Sequence, residues 1–450
     1  MQTTSESTIV KMPSTDPRAR LMVGECATIL KRFYFLQREM VLMQAGWMPG
    51  TEHWQSKLLL PEFLWEDALI AHDLRERVLE LRYPERRIVA GEDEPLLAFW
   101  RSFRDAPTAS AFVAALHQLI KPALRQAFLS YLSVADRLDD SPTIRILKQA
   151  VEDIDGQLAR WAETQADADV VYPEHRESSA QWCSAVAETI QQLGESWALA
   201  DKLVLIPLFD PSRFAGQCFQ ISRTGKRDKR FPYALFPWPD SLDPKRGPGE
   251  GWELQVRQAT HHVNEVWAAE MAAACLFDLL EEAPANFLEE AARWCYDEIR
   301  HCRMGFTRFR NWGFEISEMP MGSFSYDAGA DTDALTRLGI IYYFESTYIH
   351  TKSERTKSFA AFGDRVSSHD MDFDWADELI HSYYGNHWLK ELLALRGDTR
   401  QPNDVKKAAE RCIEEIRQRA TTADREHTEQ HYQRTLRRAR ELAQTAAVKK

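Results

Sequence analysis

The sequence predicts an all-α protein of two successive helical bundles, the second a four-helix bundle around a di-metal carboxylate site. Three observations predict it. Apolar residues recur at helical spacing along most of the chain, as in Leu30, Phe33, Leu36, Met40 and Met43. The stretches Asp297-Glu298-Ile299-Arg300-His301 and Asp377-Glu378-Leu379-Ile380-His381 each put a Glu and a His three residues apart, on one helical face. Each is preceded by a further Glu on a separate apolar helix: Glu270 lies 28 residues before Glu298, and Glu345 lies 33 residues before Glu378.

Residues 1–16 are rich in Ser and Thr and read as a disordered tail without the apolar core of a signal peptide. Residues 17–200 read as the first bundle, with helices over 17–47, 61–82, 94–104, 108–137, 142–164 and 178–200. Trp47-Met48-Pro49-Gly50 breaks the first helix, and Asp140-Ser141-Pro142 caps the fifth. Residues 201–250 hold seven of the 20 prolines and a basic cluster from Arg223 to Arg230. They read as an ordered linker packed by Phe231, Tyr233, Phe236 and Trp238, rather than a lid. The second bundle occupies 251–398, with helices over 253–280, 287–311, 332–362 and 372–395; Gly363-Asp364 ends the third. Residues 399–450 carry one charged helix, 402–446, read as a solvated arm.

Composition narrows the function. A net charge of −12 argues against a nucleic-acid partner. Seven cysteines without a Cys-x-x-Cys pair fit neither a zinc framework nor a disulfide scaffold, and suit a reducing cytoplasm. No apolar run approaches a membrane span.

The Glu/His spacing carries little by itself. Its weight comes from the apolar surroundings, the Asp preceding each Glu, and the upstream Glu in each case. A di-metal site takes hard carboxylates and a few imidazoles. Glu298 and Glu378 suit bridging positions and are the expected catalytic carboxylates. His301 and His381 would each take one metal, with Glu270 and Glu345 as terminal ligands. Glu265 competes with Glu270. Counting both ways from Pro284 puts Glu270 level with Glu298 and favours it. Asp297 is placed to accept the free ring N–H of His381, and Asp377 that of His301. Their plainer alternatives are surface ion pairs with Arg300 or Lys390. Cys295 and Cys302 read as small core residues, and His261, His262 and His350 as ordinary polar positions. Glu426 and His427 fall in the charged tail and are not assigned to metal.

The chain resembles the ferritin-like di-iron carboxylate superfamily. DEIRH at 297–301 matches an element of di-iron oxygenases and ribonucleotide reductase small subunits. FESTYIH at 344–350, Gly363-Asp364 and DELIHSYYGNHW at 377–388 resemble an uncharacterised bacterial family of ferritin-like proteins, over about 250–396. AGWMPGTEHWQSK and WEDALIAHDLRERVLELR in the first half are similar to ferritin-like first and second helices. Leu69 stands where a ligand His would follow Glu66, so the first bundle is expected to lack a complete metal site.

The resemblance implies dioxygen chemistry at two iron ions, with manganese or a mixed Mn/Fe pair as alternatives. O2 would be co-substrate in hydroxylation, N-oxygenation, desaturation or oxidative cleavage of a small organic substrate. Electrons would come from a separate reductase or ferredoxin, since no flavin or nicotinamide motif is present; a homodimer is the expected assembly. The competing readings are a storage or peroxide-protection protein and a non-catalytic scaffold.

Overall fold

A computed structural model describes residues 18, 20–81, 88–194, 196–200, 205–215 and 218–448. The tail read over 1–16 lies outside them. Every regular element among the described residues is helical; one isolated parallel bridge joins Tyr233 to Met321.

The N-terminal half comprises α1 (Val23–Trp47), α2 (Trp54–Glu80), α3 (Glu94–Ser102), α4 (Ala109–Ala115), α5 (Lys121–Val134), α6 (Ser141–Val171) and α7 (Arg176–Leu193). The helix expected over 108–137 is interrupted by a π-helical stretch, Leu116–Ile120, between α4 and α5. Pro61 does not start α2 but lies inside it, two turns in. Asp140 stands at the start of α6 without capping it; its carboxylate instead takes Arg77, Tyr131 and Thr143.

The segment after α7 contains two single turns, α8 (Ser212–Ala215) and α9 (Pro239–Leu242). Phe231, Phe236 and Trp238 are buried there as expected, whereas Tyr233 is half exposed.

Then follow α10 (Trp252–Asn264), α11 (Val266–Leu279), α12 (Phe287–Trp312), a turn α13 (Phe324–Asp327), α14 (Ala334–Phe362), α15 (Arg365–Leu395), α16 (Pro402–Gln418) and α17 (Thr422–Val448). The continuous helix expected over 253–280 is broken at Glu265, which ends α10 and starts α11. No Pro or Gly causes the break. Asn264 ties the helix to a distant loop instead: its side chain donates to Pro320 O (2.9 Å) and accepts from Gly322 N (2.7 Å). Gly363 closes α14 at φ 81°, and Asp364 caps α15 by accepting Ser367 N, so two adjacent residues turn the chain between antiparallel helices.

The C-terminal helix is likewise two helices, not one solvated arm. Thr421 and Asp424 cap α17 reciprocally. Val405, Ala409 and Ile413 of α16 are buried, and Val405 packs against α14 at Gly339.

One continuous apolar core joins both halves, from Phe33 of α1 through Leu276 of α11 to Leu389 of α15. Trp65 of α2 stacks on Tyr296 of α12 at 4.6 Å, and Glu62 pairs with Arg303 at 2.6 Å. The α10–α12 crossing depends on Gly305. A Cβ there would lie 2.4 Å from Ala259 O and Val263 N, backbone atoms that cannot swing aside. That close approach lowers the end of α10 onto the polar face of α12. Gly305→Ala should therefore destabilise the fold by about 1–3 kcal/mol, read as a fall in thermal midpoint; an unchanged midpoint would mean the helices have room to separate.

Candidate metal centre

Five carboxylates and two imidazoles converge between α10, α12, α14 and α15. Glu298 and His301 share the buried face of α12, one turn apart. Glu345 comes from α14. Asp374, Glu378 and His381 are spaced four and three apart on the buried face of α15. Glu265 enters from the α10–α11 break.

Glu298, Glu345, Glu378 and His381 bring ligand atoms within 4.8 Å of one another, as do Glu265, Glu298 and His301, and also His301, Asp374 and Glu378. Glu298 reaches both imidazoles: Oε1 is 2.9 Å from His381 Nδ1, and Oε2 is 3.6 Å from His301 Nδ1. Glu265 Oε2 lies 3.5 Å from His301 Nδ1.

The structure does not bring Glu270 into this group. Its carboxylate is buried against Lys57 of α2 and lies 2.7 Å from Arg227 Nη1. The count from Pro284 fails because the hairpin is centred elsewhere. Cys295 Sγ donates to Ala269 O and Cys302 Sγ to Val263 O. These contacts centre the antiparallel pairing near residue 282, which shifts the residue level with Glu298 by about one turn toward Glu265.

Behind the imidazoles lies a second polar layer. His301 Nε2 is 3.2 Å from Asp377 Oδ2, and His381 Nε2 is 3.5 Å from Asp297 Oδ2, so each ring faces the aspartate of the opposite helix. Arg300 donates to Asp297 at 2.6 Å and to Asp377 at 2.6 Å, and Arg293 also donates to Asp297. The aspartates thus take both the imidazoles and the arginine. Trp294 Nε1 donates to Glu298 Oε1 at 3.2 Å.

Two further residues, Asp374 and Lys352, were not singled out from the sequence. Asp374 approaches His301 Nδ1 at 3.6 Å and His262 Nε2 at 3.3 Å. Lys352 Nζ sits 2.7 Å from Asp374 and 2.9 Å from Glu378. The signal existed: Asp374 is one turn before Glu378, and Lys352 two turns after Glu345, on the same faces. His262 joins this group rather than being an incidental polar position, whereas His261 pairs with Asp240.

The electrostatics are those of crowded carboxylates. Burial and the neighbouring Glu298 push the Glu378 carboxyl well above its usual range. Burial also opposes charge on Glu298, but the His301 and His381 imidazoles outweigh it and hold that carboxyl low. Burial works against a charged His381 too, yet Asp297 and Glu298 raise it to about 9. A cation among these groups would replace the shared protons.

The donors fit a metal pair on one further observation. His301 Nδ1, His381 Nδ1, Glu265 Oε2 and Glu378 Oε2 are all buried and make no aligned hydrogen bond, the 2.9 Å approach of Glu298 Oε1 to His381 Nδ1 being ionic and poorly directed. Buried polar atoms are rarely left so, and carboxylate oxygens with imidazole nitrogens are hard-to-borderline ligands suited to iron or manganese.

The N-terminal helices hold a different polar interior. Asp67 of α2 is fully buried and takes Lys121 of α5 together with Gln37 and Gln44 of α1; Lys121 also reaches Gln157 of α6. An ammonium group fills the centre of that half.

Residues 237–442 match a family model described as a protein of unknown function, DUF455. The matched span begins two residues before the short turn α9 and contains every donor of the cluster. No curated protein and no solved structure matches the chain.

The two candidate first-helix carboxylates are separable by metal-dependent stability. Anaerobic Fe(II) or Mn(II) at about 100 times its Kd should stabilise the wild type by about 2.7 kcal/mol. Glu265→Gln, His301→Ala and His381→Ala should lose most of that gain. Glu270→Gln should lower the metal-free midpoint yet keep the gain, and His427→Ala should change neither. Loss of the gain in Glu270→Gln but not Glu265→Gln would reverse the assignment.

Proposed function

We propose that the chain is a non-haem di-metal oxidoreductase of the ferritin-like kind, using dioxygen to oxidise a small organic substrate. The observation that carries this reading is the donor set: Glu265, Glu298 and His301 beside Glu298, Glu345, Glu378 and His381, with both Nδ1 atoms buried and without an aligned hydrogen bond. Its order along the chain, Glu, Glu-x-x-His, Glu, Glu-x-x-His, is that of ferritin-like di-metal bundles.

When bound, two iron ions, or manganese in their place, supply the electrons for reducing dioxygen. The chain's own residues do the rest. Glu298, which lies between the two imidazoles, would help hold both ions together with Glu378. Asp297 and Asp377 accept the Nε2–H groups, which fixes the tautomer that leaves Nδ1 free to ligate. Trp294, which donates to Glu298 and stacks on His381, helps wall the centre from water on one closed side. On its open side lies a cavity of about 860 Å³ that reaches Glu265, Glu298, Glu345 and Glu378, room for a small organic molecule beside the carboxylates. That cavity favours an oxygenase or oxidase over a storage protein, which needs no substrate pocket. Reducing equivalents would come from a separate reductase or ferredoxin.

Iron-loaded, chemically reduced protein should consume dioxygen, faster when a substrate fills the cavity. Glu298→Ala and Glu378→Ala should reduce the rate by two orders of magnitude or more, and Glu426→Ala should leave it unchanged. No oxygen consumption by protein carrying two irons per chain would sink the reading; uptake of many irons per chain would point to storage instead.

A further inference from the structure

The cavity beside the carboxylate cluster has a second polar end. Its wall there is formed by α10 and α14 and by the Pro-rich segment from Pro237 to Gly251, which thus contributes to the pocket. Arg257, Gln258 and His261 come from α10, Arg355 from α14. Asp240 is the nearest acid and is already shared, taking Arg257 Nε at 2.5 Å and His261 Nε2 at 2.9 Å. Arg257 Nη1 remains buried with no hydrogen-bond partner. Arg355 has no carboxylate within 4.0 Å among the described residues, and its hydrogen bond is a long one, 3.4 Å, to the neutral amide of Gln258. Other cations of the lining are engaged: Lys352 with Asp374 and Glu378, Arg246 with Glu429.

Two guanidinium groups near one another, one with an unbonded buried N–H and the other without an acid, are a poor arrangement unless an anion joins them. Burial, and then the proximity of Arg257, depress the Arg355 guanidinium to about 10, the same imbalance seen from its titration. Guanidinium forks match a planar carboxylate in bidentate geometry. From this end the lining runs past Gln258, His261, Thr351 and Tyr348 to the metal-ligand end, where Trp267 and Phe344 form an aromatic wall beside the carboxylates. Arg257 precedes Glu265 by eight residues and Arg355 follows Glu345 by ten, so the two ends are about 12–15 Å apart along the helix axes.

We infer that this cavity binds an amphipathic carboxylate, its head group held between Arg257 and Arg355 and its apolar chain passing Tyr348 to end against Trp267 and Phe344, beside Glu345 and Glu298. The inference deepens the oxidoreductase reading, since it names the class of molecule whose far end would meet the oxidising centre. The binding claim does not depend on metal and can fail or hold separately.

The test uses the full chain, metal-free, with calorimetric titration of decanoate, 1-decanol and decyl phosphate. Decanoate should bind about tenfold or more tightly than decanol. Arg355→Gln should weaken decanoate by a similar factor without changing decanol, and Arg355→Lys should recover part of the loss. Arg355 is the informative position because it is partly exposed and holds no ion pair; Arg257→Gln, which breaks the Asp240 pair, is a second variant to be read only beside an unchanged helical spectrum. Equal binding of decanoate and decanol, or wild-type decanoate affinity in Arg355→Gln, would overturn the inference. Decyl phosphate binding more tightly than decanoate would overturn the carboxylate assignment in favour of a phosphate head group. If decanoate binds as expected but iron-loaded protein consumes no oxygen, the pocket stands and the oxidoreductase reading falls.

Discussion

Mutual repulsion among buried carboxylates is the constraint around which the C-terminal half is arranged. Glu298, Glu345, Asp374 and Glu378 are all buried, and Glu265 is nearly so. Moving even one such charge out of water costs several kcal/mol unless it is paired. The surrounding structure supplies partners in layers. Imidazoles stand between the carboxylates, Lys352 covers Asp374 and Glu378, and an outer shell of Asp297, Asp377, Arg293 and Arg300 meets the imidazoles from behind. Aligned hydrogen bonds remain unmade at both Nδ1 atoms even so. A core assembled for stability alone would not retain them, because replacing such charges with apolar residues is commonly neutral or favourable.

The N-terminal half meets the same demand with fewer charges. Asp67 is balanced by Lys121, and glutamines fill the remaining hydrogen bonds. Gln37 Oε1 and Gln44 Oε1 remain buried there without a hydrogen-bond partner. The half contributes as a wall: α1 packs along α11, and α2 along α12 through Trp65, Tyr296, Glu62 and Arg303. Glu270 belongs to this seam. With Lys57 and Arg227 it links α2, α11 and the Pro-rich segment in one buried ion cluster.

How far the sequence could be read divides along the line between local and distant causes. The Glu-x-x-His pairs and the Gly363-Asp364 turn depend on a few neighbouring residues, and a helical face or a left-handed glycine can be read from spacing alone. The break at Glu265 depends on Asn264 reaching Pro320 and Gly322, more than fifty residues away. Nothing near Glu265 announces it, so a continuous helix and a count from Pro284 pointed to Glu270. The division of the C-terminal arm was legible in Thr421 and Asp424, a reciprocal cap hidden among many charges. Asp374 and Lys352 lay on faces already identified, but a search for the Glu/His pattern passes over an aspartate one turn earlier. The cavity's second end could not have been found from sequence, since Arg257 and Arg355 meet only through the packing of α10 on its neighbours.

Arg300 has a mechanical consequence. One planar guanidinium holds Asp297 and Asp377, and these two aspartates face the imidazoles of opposite helices. The rings therefore share a single yoke. Any ion that draws one imidazole inward pulls through its aspartate on Arg300, and so on the orientation of the other ring.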